Sequence, residues 1–283
     1  MHGILRKESE GEEMQKVAQN VYVETNICNH SFVKTSGGLV AIDTPTVPGA
    51  SVAWQKEIAK HGTVRYLIDT EGHYDHFAGN YFFDALIVGH EGARRDILAS
   101  SMEELKQMIA GIAPGSSPLP DGFYLRPPTI TFSRELTLYV GDRTFRLINT
   151  PGHTASQATV YVPEERVVFT GDNVVSRGMP FFHQAMPLEW LESLKVLDDL
   201  DIDFVVPGHG PVSDKSCIRE MKSTVQTWID AVREAINKGM SSEEAKERVS
   251  LLHLYPDPNA DPEKRATIYR MSIGRLYEML KDR

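Results

Sequence analysis

The sequence contains little cysteine and no long hydrophobic run. Cys28 and Cys217 are the 2 cysteines among 283 residues, so no disulfide framework is expected to hold the fold. Neither lies in a metal-binding motif, and both are interpreted as buried or incidental thiols. No apolar run approaches the ~20 residues that a membrane helix needs, and residues 1–13 lack the apolar centre of a signal peptide. The chain is therefore expected to be cytoplasmic and to have no membrane partner.

The sequence also lacks a cluster of basic residues. Lysine and arginine together number 30 and aspartate and glutamate 39, which gives a net charge of −9. A nucleic-acid partner is not expected, because binding to a phosphate backbone depends on a basic surface. The hydrophobic fraction of 41% is enough for a sizeable core. The expected partner is a small-molecule substrate. The C-terminal helices have two alternative roles, which are to shape a pocket or to form a dimer.

A dense group of potential metal ligands directly follows the apolar run 64–68, which is predicted to be a buried parallel strand. The group consists of Glu71, His73, Asp75 and His76. In an extended chain Glu71, His73 and Asp75 point the same way, because side chains repeat every second residue. A turn at Asp75 would bring His76 to a second side of the same pocket. This pattern favours two adjacent metal ions.

Three further motifs follow in order: Gly-His-Thr at 152–154, Gly-Asp at 171–172 and Pro-Gly-His-Gly at 207–210. Together with the first motif they resemble the signature of the metallo-β-lactamase superfamily, over roughly residues 14–213. One position departs from the pattern, because Glu71 stands where the first histidine of His-x-His-x-Asp-His is expected. The resemblance implies an α/β fold, a four-layer αββα sandwich with its metal site along one edge.

The resemblance also implies a ligand set and a reaction. One metal would take Glu71, His73 and His153, the other would take Asp75, His76 and His209, and Asp172 would bridge them. The implied activity is that of a metal-dependent hydrolase, in which a metal-bound hydroxide cleaves an ester, lactone, thioester or amide bond of a small molecule. Asp75 and Asp172 are the catalytic candidates, with Asp75 or the bridging oxygen passing a proton to the leaving group. Two divalent ions are expected, with zinc as the first choice.

Glu71 leaves three arrangements open. As a ligand it lowers the charge of the centre by one unit relative to histidine, so a bound water would be less acidic. Carboxylate is also a harder ligand than imidazole, so iron or manganese becomes a rival to zinc. The third arrangement leaves Glu71 outside the ligand set, with a single site filled tightly.

Other residues around the motifs have two interpretations each. Asp43 closes a strand, and either orients a metal-bound histidine or only forms a turn. In the loop after Asp172, Arg177 would meet a substrate carboxylate and His183 would donate a proton to a developing oxyanion. The alternative is a surface loop with one buried aromatic pair, formed by Phe181 and Phe182.

Three parts are predicted along the chain: a flexible lead-in at 1–13, the αββα domain at 14–213 and a helical extension packed on it at 214–283. The extension carries an apolar stripe at helical spacing, which includes Ile218, Met221, Val225, Trp228 and Val232. The segments 129–132, 136–140, 145–149, 158–162 and 167–171 are assigned to the second sheet. Prolines and glycines exclude a regular element over 111–130, and its apolar tip at Phe123 is either a substrate lid or a passive surface excursion.

Two rival functions remain on the same fold. The first rival is an iron-dependent oxidoreductase. This hypothesis is weakened because the superfamily's flavin-linked di-iron members carry glutamate at the second motif position, whereas this chain carries it at the first. No flavin-binding domain fits in the C-terminal remainder either. A phosphodiesterase or nuclease is disfavoured by the acidic net charge.

Overall fold

The structure, a computed structural model, describes residues 14–257 and 261–282. The predicted lead-in at 1–13 lies outside the described residues. The strands are β1 (Gln15–Lys16), β2 (Val21–Thr25), β3 (Asn29–Thr35), β4 (Gly38–Ile42), β5 (Val64–Asp69), β6 (Leu86–His90), β7 (Ile130–Phe132), β8 (Glu135–Val140), β9 (Arg143–Asn149), β10 (Ala158–Val162), β11 (Val167–Phe169) and β12 (Phe204–Val206). The α-helices are α1 (Pro48–Ala59), α2 (Tyr74–Phe77), α3 (Glu91–Ala99), α4 (Met102–Ile112), α5 (Pro187–Asp198), α6 (Ser216–Asn237), α7 (Ser242–Arg248) and α8 (Pro262–Leu280).

The strands form two sheets. The first has the order β1 to β7, with antiparallel pairs up to β4 and parallel pairs from β4 to β7. The second has the order β12-β11-β10-β9-β8, in which only β11 and β12 run parallel. Strands of both sheets end in loops at a common edge, and the sequence motifs lie in those loops.

Alternating apolar side chains give each sheet two buried faces. Val40 and Ile42 on β4 face the second sheet and share a core with Phe145 and Val160. Leu39 and Ala41, one residue out of step, point to the other face and pack in a cluster with Trp54 of α1. This alternation follows from the two-residue repeat of a strand.

The outer face of the second sheet is covered by helices. Val168 of β11 and Val205 of β12 belong to one cluster with Trp190 of α5 and Ile218 of α6. The layers therefore run helix, sheet, sheet, helix, and the predicted αββα sandwich is confirmed.

Helices α6, α7 and α8 follow the last strand and share the cluster that contains α5. The predicted stripe is buried: Ile218, Val225, Trp228 and Val232 are fully buried and Met221 is 4% exposed. The division of the chain at residue 213 stays a prediction. Within the described parts of the chain, no helix is both long and apolar enough to span a membrane.

Two element assignments were wrong or incomplete. Strand β7 does not join the second sheet, because it pairs in parallel with β6 of the first sheet and Phe132 packs in the core between the sheets. Periodicity identified this strand but carries no information about its partner. Helix α4 was not predicted, although Ser101 caps it by accepting hydrogen bonds from the main-chain N–H groups of Glu103 and Glu104.

The segment predicted to be irregular, 111–130, is irregular only over 113–129, because helix α4 continues to Ile112 and strand β7 begins at Ile130. The apolar tip of this loop packs against helix α4 rather than over a pocket. Phe123 belongs to a cluster with Leu105 and Ile109, and its ring lies 4.8 Å from that of Tyr81. The loop is therefore a packed surface excursion in this structure, and the lid interpretation finds no support there.

Candidate metal centre

The loops that carry the four motifs are joined by main-chain hydrogen bonds at one edge of the two sheets. Ala158 N donates to Thr70 O at 2.7 Å, which ties the start of β10 to the loop after β5. Gly208 N donates to Gly171 O at 2.9 Å, which ties the loop after β12 to the loop after β11. Ligand-type side chains that are distant in the sequence are brought together by these contacts.

The first ligand group comprises Glu71, His73 and His153. Glu71 Oε2 contacts His73 Nδ1 directly. His153 Nε2 lies 3.2 Å from His73 Nδ1 and 3.7 Å from Glu71 Oε2. The side chain of Glu71 is fully buried, and that of His153 is nearly so. These three donor atoms face one another, which is the arrangement that a shared ion requires.

The second ligand group comprises Asp75, His76 and His209. His209 Nε2 lies 3.3 Å from Asp75 Oδ2, and His76 Nε2 lies 4.0 Å from the same oxygen. Asp75 reaches this position from the first turn of helix α2, not from the extended segment that the sequence predicted. The helix changes the path of the chain without removing the side chain from the group.

Asp172 lies between the two groups. Its Oδ1 is 3.3 Å from His76 Nε2, and its Oδ2 is 3.2 Å from His209 Nε2 and 3.7 Å from His153 Nε2. Asp172 thus contacts histidines of both groups, as a bridging carboxylate would.

Hydrogen bonds on the far side of each ring orient three of the histidines. Asp43 Oδ2 lies 2.9 Å from His76 Nδ1, and Phe181 O lies 2.8 Å from His153 Nδ1. The carbonyl oxygen of Ile27 takes the same place at His209 Nδ1. When Nδ1 donates its proton to these acceptors, Nε2 is left to face the centre with its lone pair. Of the two roles predicted for Asp43, the structure therefore supports the orientation of a candidate ligand, His76.

The carboxylates and imidazoles of the centre compensate one another. Burial lowers the pKa of His76 and His209, but Glu71 and Asp172 around the first and Asp172 and Asp75 around the second outweigh it and raise both pKa values well above the usual range. Burial raises the pKa of Asp172, yet His209 and His76 hold it well below its usual value. Asp172 is thus kept ionised, the form in which a carboxylate binds metal.

The buried donor atoms fit a divalent ion. His76 Nε2 and Asp172 Oδ1 are both buried, and neither forms a hydrogen bond although they lie 3.3 Å apart. Unsatisfied buried polar atoms are costly, and metal coordination is a common way to satisfy them. A Cβ atom at Gly208 would lie 1.9 Å from Asp172 Oδ1, so only glycine leaves room for that oxygen. The mixture of imidazole and carboxylate donors suits zinc, iron or manganese.

A cavity of about 710 Å³ opens on the centre. One wall is formed by the ligand loops, including His73, Asp172 and His209, and by the loop that holds Arg177. The C-terminal helices and the segment between them also line the cavity, through Cys217, Glu220, Met221, Thr224, Leu254, Tyr255, Pro256, Asp257 and Ile268. This volume falls in the range of pockets that hold small molecules.

The family model described as "Metallo-beta-lactamase superfamily" matches residues 24–209, which is the segment that supplies every member of both ligand groups and Asp172. The chain belongs to the metallo-beta-lactamase superfamily. The family that the motifs indicate is therefore confirmed.

Individual comparisons agree with the family. The chain is 40% identical over 76 residues to "Beta-lactamase-like protein 2 homolog" of Caenorhabditis elegans, covering 27% of this chain and 25% of that protein. It is 24% identical over 179 residues to "Hydroxyacylglutathione hydrolase" of Bartonella quintana, covering 62% of this chain and 58% of that protein. The chain thus spans less than two thirds of either relative. A metallo-beta-lactamase structure from Pontibacter korlensis superposes with a TM-score of 0.59 at 21% identity, covering 77% of this chain and 99% of that one, which supports the fold.

The structure brings together all seven residues that the sequence singled out as ligands. Arg177 and His183, the two substrate-binding candidates, both line the cavity. The sequence left open that the C-terminal helices shape a pocket, but it did not single out Glu220, Thr224 and Tyr255 as lining residues. The stripe of α6 identified which side of that helix is buried, but no local signal links the rest of the helix to loops that lie far away in the sequence.

Proposed function

We propose that the protein is a metal-dependent hydrolase that cleaves an acyl thioester of a small molecule. The observation that carries the proposal is that the first and second ligand groups, both built from imidazoles and carboxylates, meet at Asp172. Asp172 lines a cavity of about 710 Å³. Thioester cleavage is preferred among the acyl bonds because the relatives include hydroxyacylglutathione hydrolases, whose named substrate carries its acyl group on sulfur.

We infer that the centre holds two divalent ions, with zinc as the first choice. The first ligand group would hold one ion and the second ligand group the other, with Asp172 in contact with both. Bound divalent ions supply Lewis acidity, which acidifies a water and polarises the substrate carbonyl. Iron or manganese would suit the same donors, and the carboxylate of Glu71 favours them relative to an all-histidine group.

The protein's own carboxylates supply the proton transfers. Asp75 Oδ2 lies 3.3 Å from His209 Nε2 and faces the cavity side of the centre. In the proposed reaction water adds its oxygen to the acyl carbon, the carbon–sulfur bond breaks, and Asp75 carries the proton of that water to the departing thiolate. Asp172 remains ionised throughout and keeps the histidines in place.

The cavity wall suggests what else the substrate carries. Arg177 is the one arginine or lysine among the described residues that line the cavity, while Glu220 and Asp257 contribute acidic groups to the wall. A guanidinium pairs well with a carboxylate, and acidic groups suit an ammonium. The proposed substrate is therefore an acyl thioester whose thiol portion bears both a carboxylate and an amine.

The test begins with metal analysis of the purified protein. The protein is then loaded separately with zinc, manganese and iron and assayed against a thioester, a lactone, a β-lactam and a phosphodiester. We expect the thioester to have the highest kcat/KM, and we expect Asp172→Asn to abolish its turnover. Replacing Arg177 with Met should raise KM for a carboxylate-bearing thioester but not for a neutral one. Turnover confined to the phosphodiester, or an iron centre that reacts with oxygen and hydrolyses nothing, would overturn the proposal.

A further inference from the structure

A third histidine lies beside His73 and His153. The ring of His183 is 5.0 Å from that of His73 and 5.8 Å from that of His153, measured between ring centroids. One ring nitrogen from each of the three lies within 4.8 Å of the other two. Three imidazole nitrogens at such separations can share one zinc ion after small side-chain movements, because zinc–nitrogen bonds are about 2.0–2.1 Å long.

The loop that carries His183 is packed into the fold. Phe182 is fully buried and stacks on Trp228 of α6 at 5.0 Å, and its N–H donates to Ser272 Oγ of α8 at 3.2 Å. Arg275 donates from Nε to Ala185 O at 3.0 Å. On its other side the loop meets the His153 motif, where Met186 N donates to Gly152 O at 2.8 Å. The loop is therefore held from both sides, which is a requirement for a ligand.

The neighbours of His183 within this loop also serve the first ligand group. Phe181 O is the acceptor that orients His153, and the Phe181 ring stacks on His183 with its centroid 3.9 Å away. Gln184 Oε1 lies 3.3 Å from His73 Nε2, on the side of that ring away from His153. Two polar contacts of this short loop, one on each side of His183, are thus directed at His153 and His73.

We propose that His183 binds the same metal ion as His73 and His153. It would restore the third imidazole that Glu71 removes from the first motif, and so keep the first ligand group suited to zinc. The inference rests on the metal binding proposed above. It replaces the prediction that His183 donates to a substrate oxyanion, since the ring faces two candidate ligands. Glu71 then remains the anionic member of the first ligand group and balances part of the charge of the ion.

The test compares His183→Ser with His183→Cys, two side chains of similar size of which only the thiolate is a good zinc ligand. His253→Ser, at an exposed histidine outside the cavity, is the matched control. Zinc affinity is measured by competition with a chromophoric chelator, and X-ray absorption gives the number of imidazoles per zinc. We expect His183→Ser to lower the affinity for one of the zinc ions on the order of 10–100-fold or more, and to lower the number of imidazoles per zinc. His183→Cys should recover the affinity and add sulfur to the zinc shell.

Two other outcomes have distinct meanings. If the wild-type protein binds no divalent ion, both this inference and the proposed function fail. If the wild type binds two zinc ions and His183→Ser binds both with unchanged affinity and imidazole count, only the role of His183 fails. Thermal melting of each variant without metal checks that a loss of affinity does not come from a loss of fold.

Discussion

Asp43 shows how one residue supports the centre without entering it. Its carboxylate accepts hydrogen bonds from Thr70 N at 2.8 Å and Thr70 Oγ1 at 2.7 Å, and lies 2.9 Å from His76 Nδ1. In Asp43→Asn one carboxylate oxygen becomes an NH2 group, which cannot accept a hydrogen bond. Either the Thr70 main-chain N–H, or the Thr70 hydroxyl and the ring N–H of His76, would lose their acceptor. We expect metal affinity at His76 to fall roughly 10–100-fold, as measured by chelator competition.

Asp43→Asn is expected to leave the backbone conformation at residue 43 unchanged. Asp43 has a φ of 55°, in the left-handed region that asparagine and aspartate tolerate better than most side chains. Asp43→Ala would add backbone strain to the loss of the carboxylate, so Asn is the better variant. Asp84→Asn, at an exposed position, is the matched control. Unchanged zinc affinity in Asp43→Asn would show that Asp43 acts only as a turn residue.

Cys217 gives a prediction about alkaline stability. The thiol lines the cavity but is 5% exposed, and burial raises its pKa from 9.0 to about 11. A raised folded-state pKa means that the protonated thiol stabilises the fold below about pH 9, and that this contribution is lost as the pH rises to about 11. The loss is on the order of 2 kcal/mol.

The measurement is the free energy of unfolding of wild type and Cys217→Ala from pH 8 to pH 11. The variant lacks the thiol but keeps every lysine and tyrosine that titrates in the same range. We expect the two curves to converge as the pH rises, because only the wild type loses the thiol contribution. Parallel curves would contradict the assignment of the shift to Cys217.

At the scale of elements, helix α6 couples the C-terminal part of the chain to the His183 loop. Trp228 is fully buried, donates from Nε1 to Tyr255 Oη at 2.8 Å and stacks on Phe182. Trp228→Ala should cost about 3–5 kcal/mol of unfolding free energy, because it removes a large side chain from a closed cluster. Denaturant unfolding measures this cost.

A second readout separates packing from site assembly. Because Phe182 lies beside His183, we also expect Trp228→Ala to weaken zinc binding at the first ligand group. Met271→Ala, on α8 at a position that is 40% exposed, is the control and should change neither quantity by much. A destabilised Trp228→Ala protein with wild-type zinc affinity would show that the loop holds its shape without this support.

The elements also show what the sequence can and cannot predict. The run 64–68 identified a buried strand because its apolar side chains meet layers of the sandwich, with Leu67 and Ile68 packed in different clusters. The stripe of α6 was visible because it is buried in a third cluster. Strand β7 was assigned to the wrong sheet because its partner β6 is distant in sequence and pairing leaves no local pattern. Helix α4 could have been found from its cap, since Ser101 followed by Glu103 and Glu104 is a typical start.

The metal centre shows the same limit. Its seven candidate ligands stand in four recognisable motifs, each of which is local. His183 lies in no motif, and its approach to His73 and His153 depends on contacts with α6 and α8. Long-range packing of this kind becomes visible only when the chain is folded.

At the scale of the whole molecule, the centre joins loops from both sheets, and through the His183 loop it also contacts α6 and α8. Ions that bind this edge in the folded state alone should therefore stabilise the entire chain. Each site filled at a free ion concentration 1,000 times its Kd contributes about 4 kcal/mol. We expect removal of metal by a chelator to lower Tm by roughly 10 °C, as measured by calorimetry with and without added zinc.

The size of that change should depend on how many ions the protein holds. His76→Ala disrupts the second ligand group and its contact with Asp172, so the chelator should lower the Tm of this variant by less than that of the wild type. His253→Ala should respond as the wild type does. Without the ions, the buried carboxylates are balanced only by imidazoles that must carry protons, and this balance is lost as the pH rises. An unchanged wild-type Tm after removal of all metal, verified by elemental analysis, would mean that the two sheets hold this edge together without help from the ions.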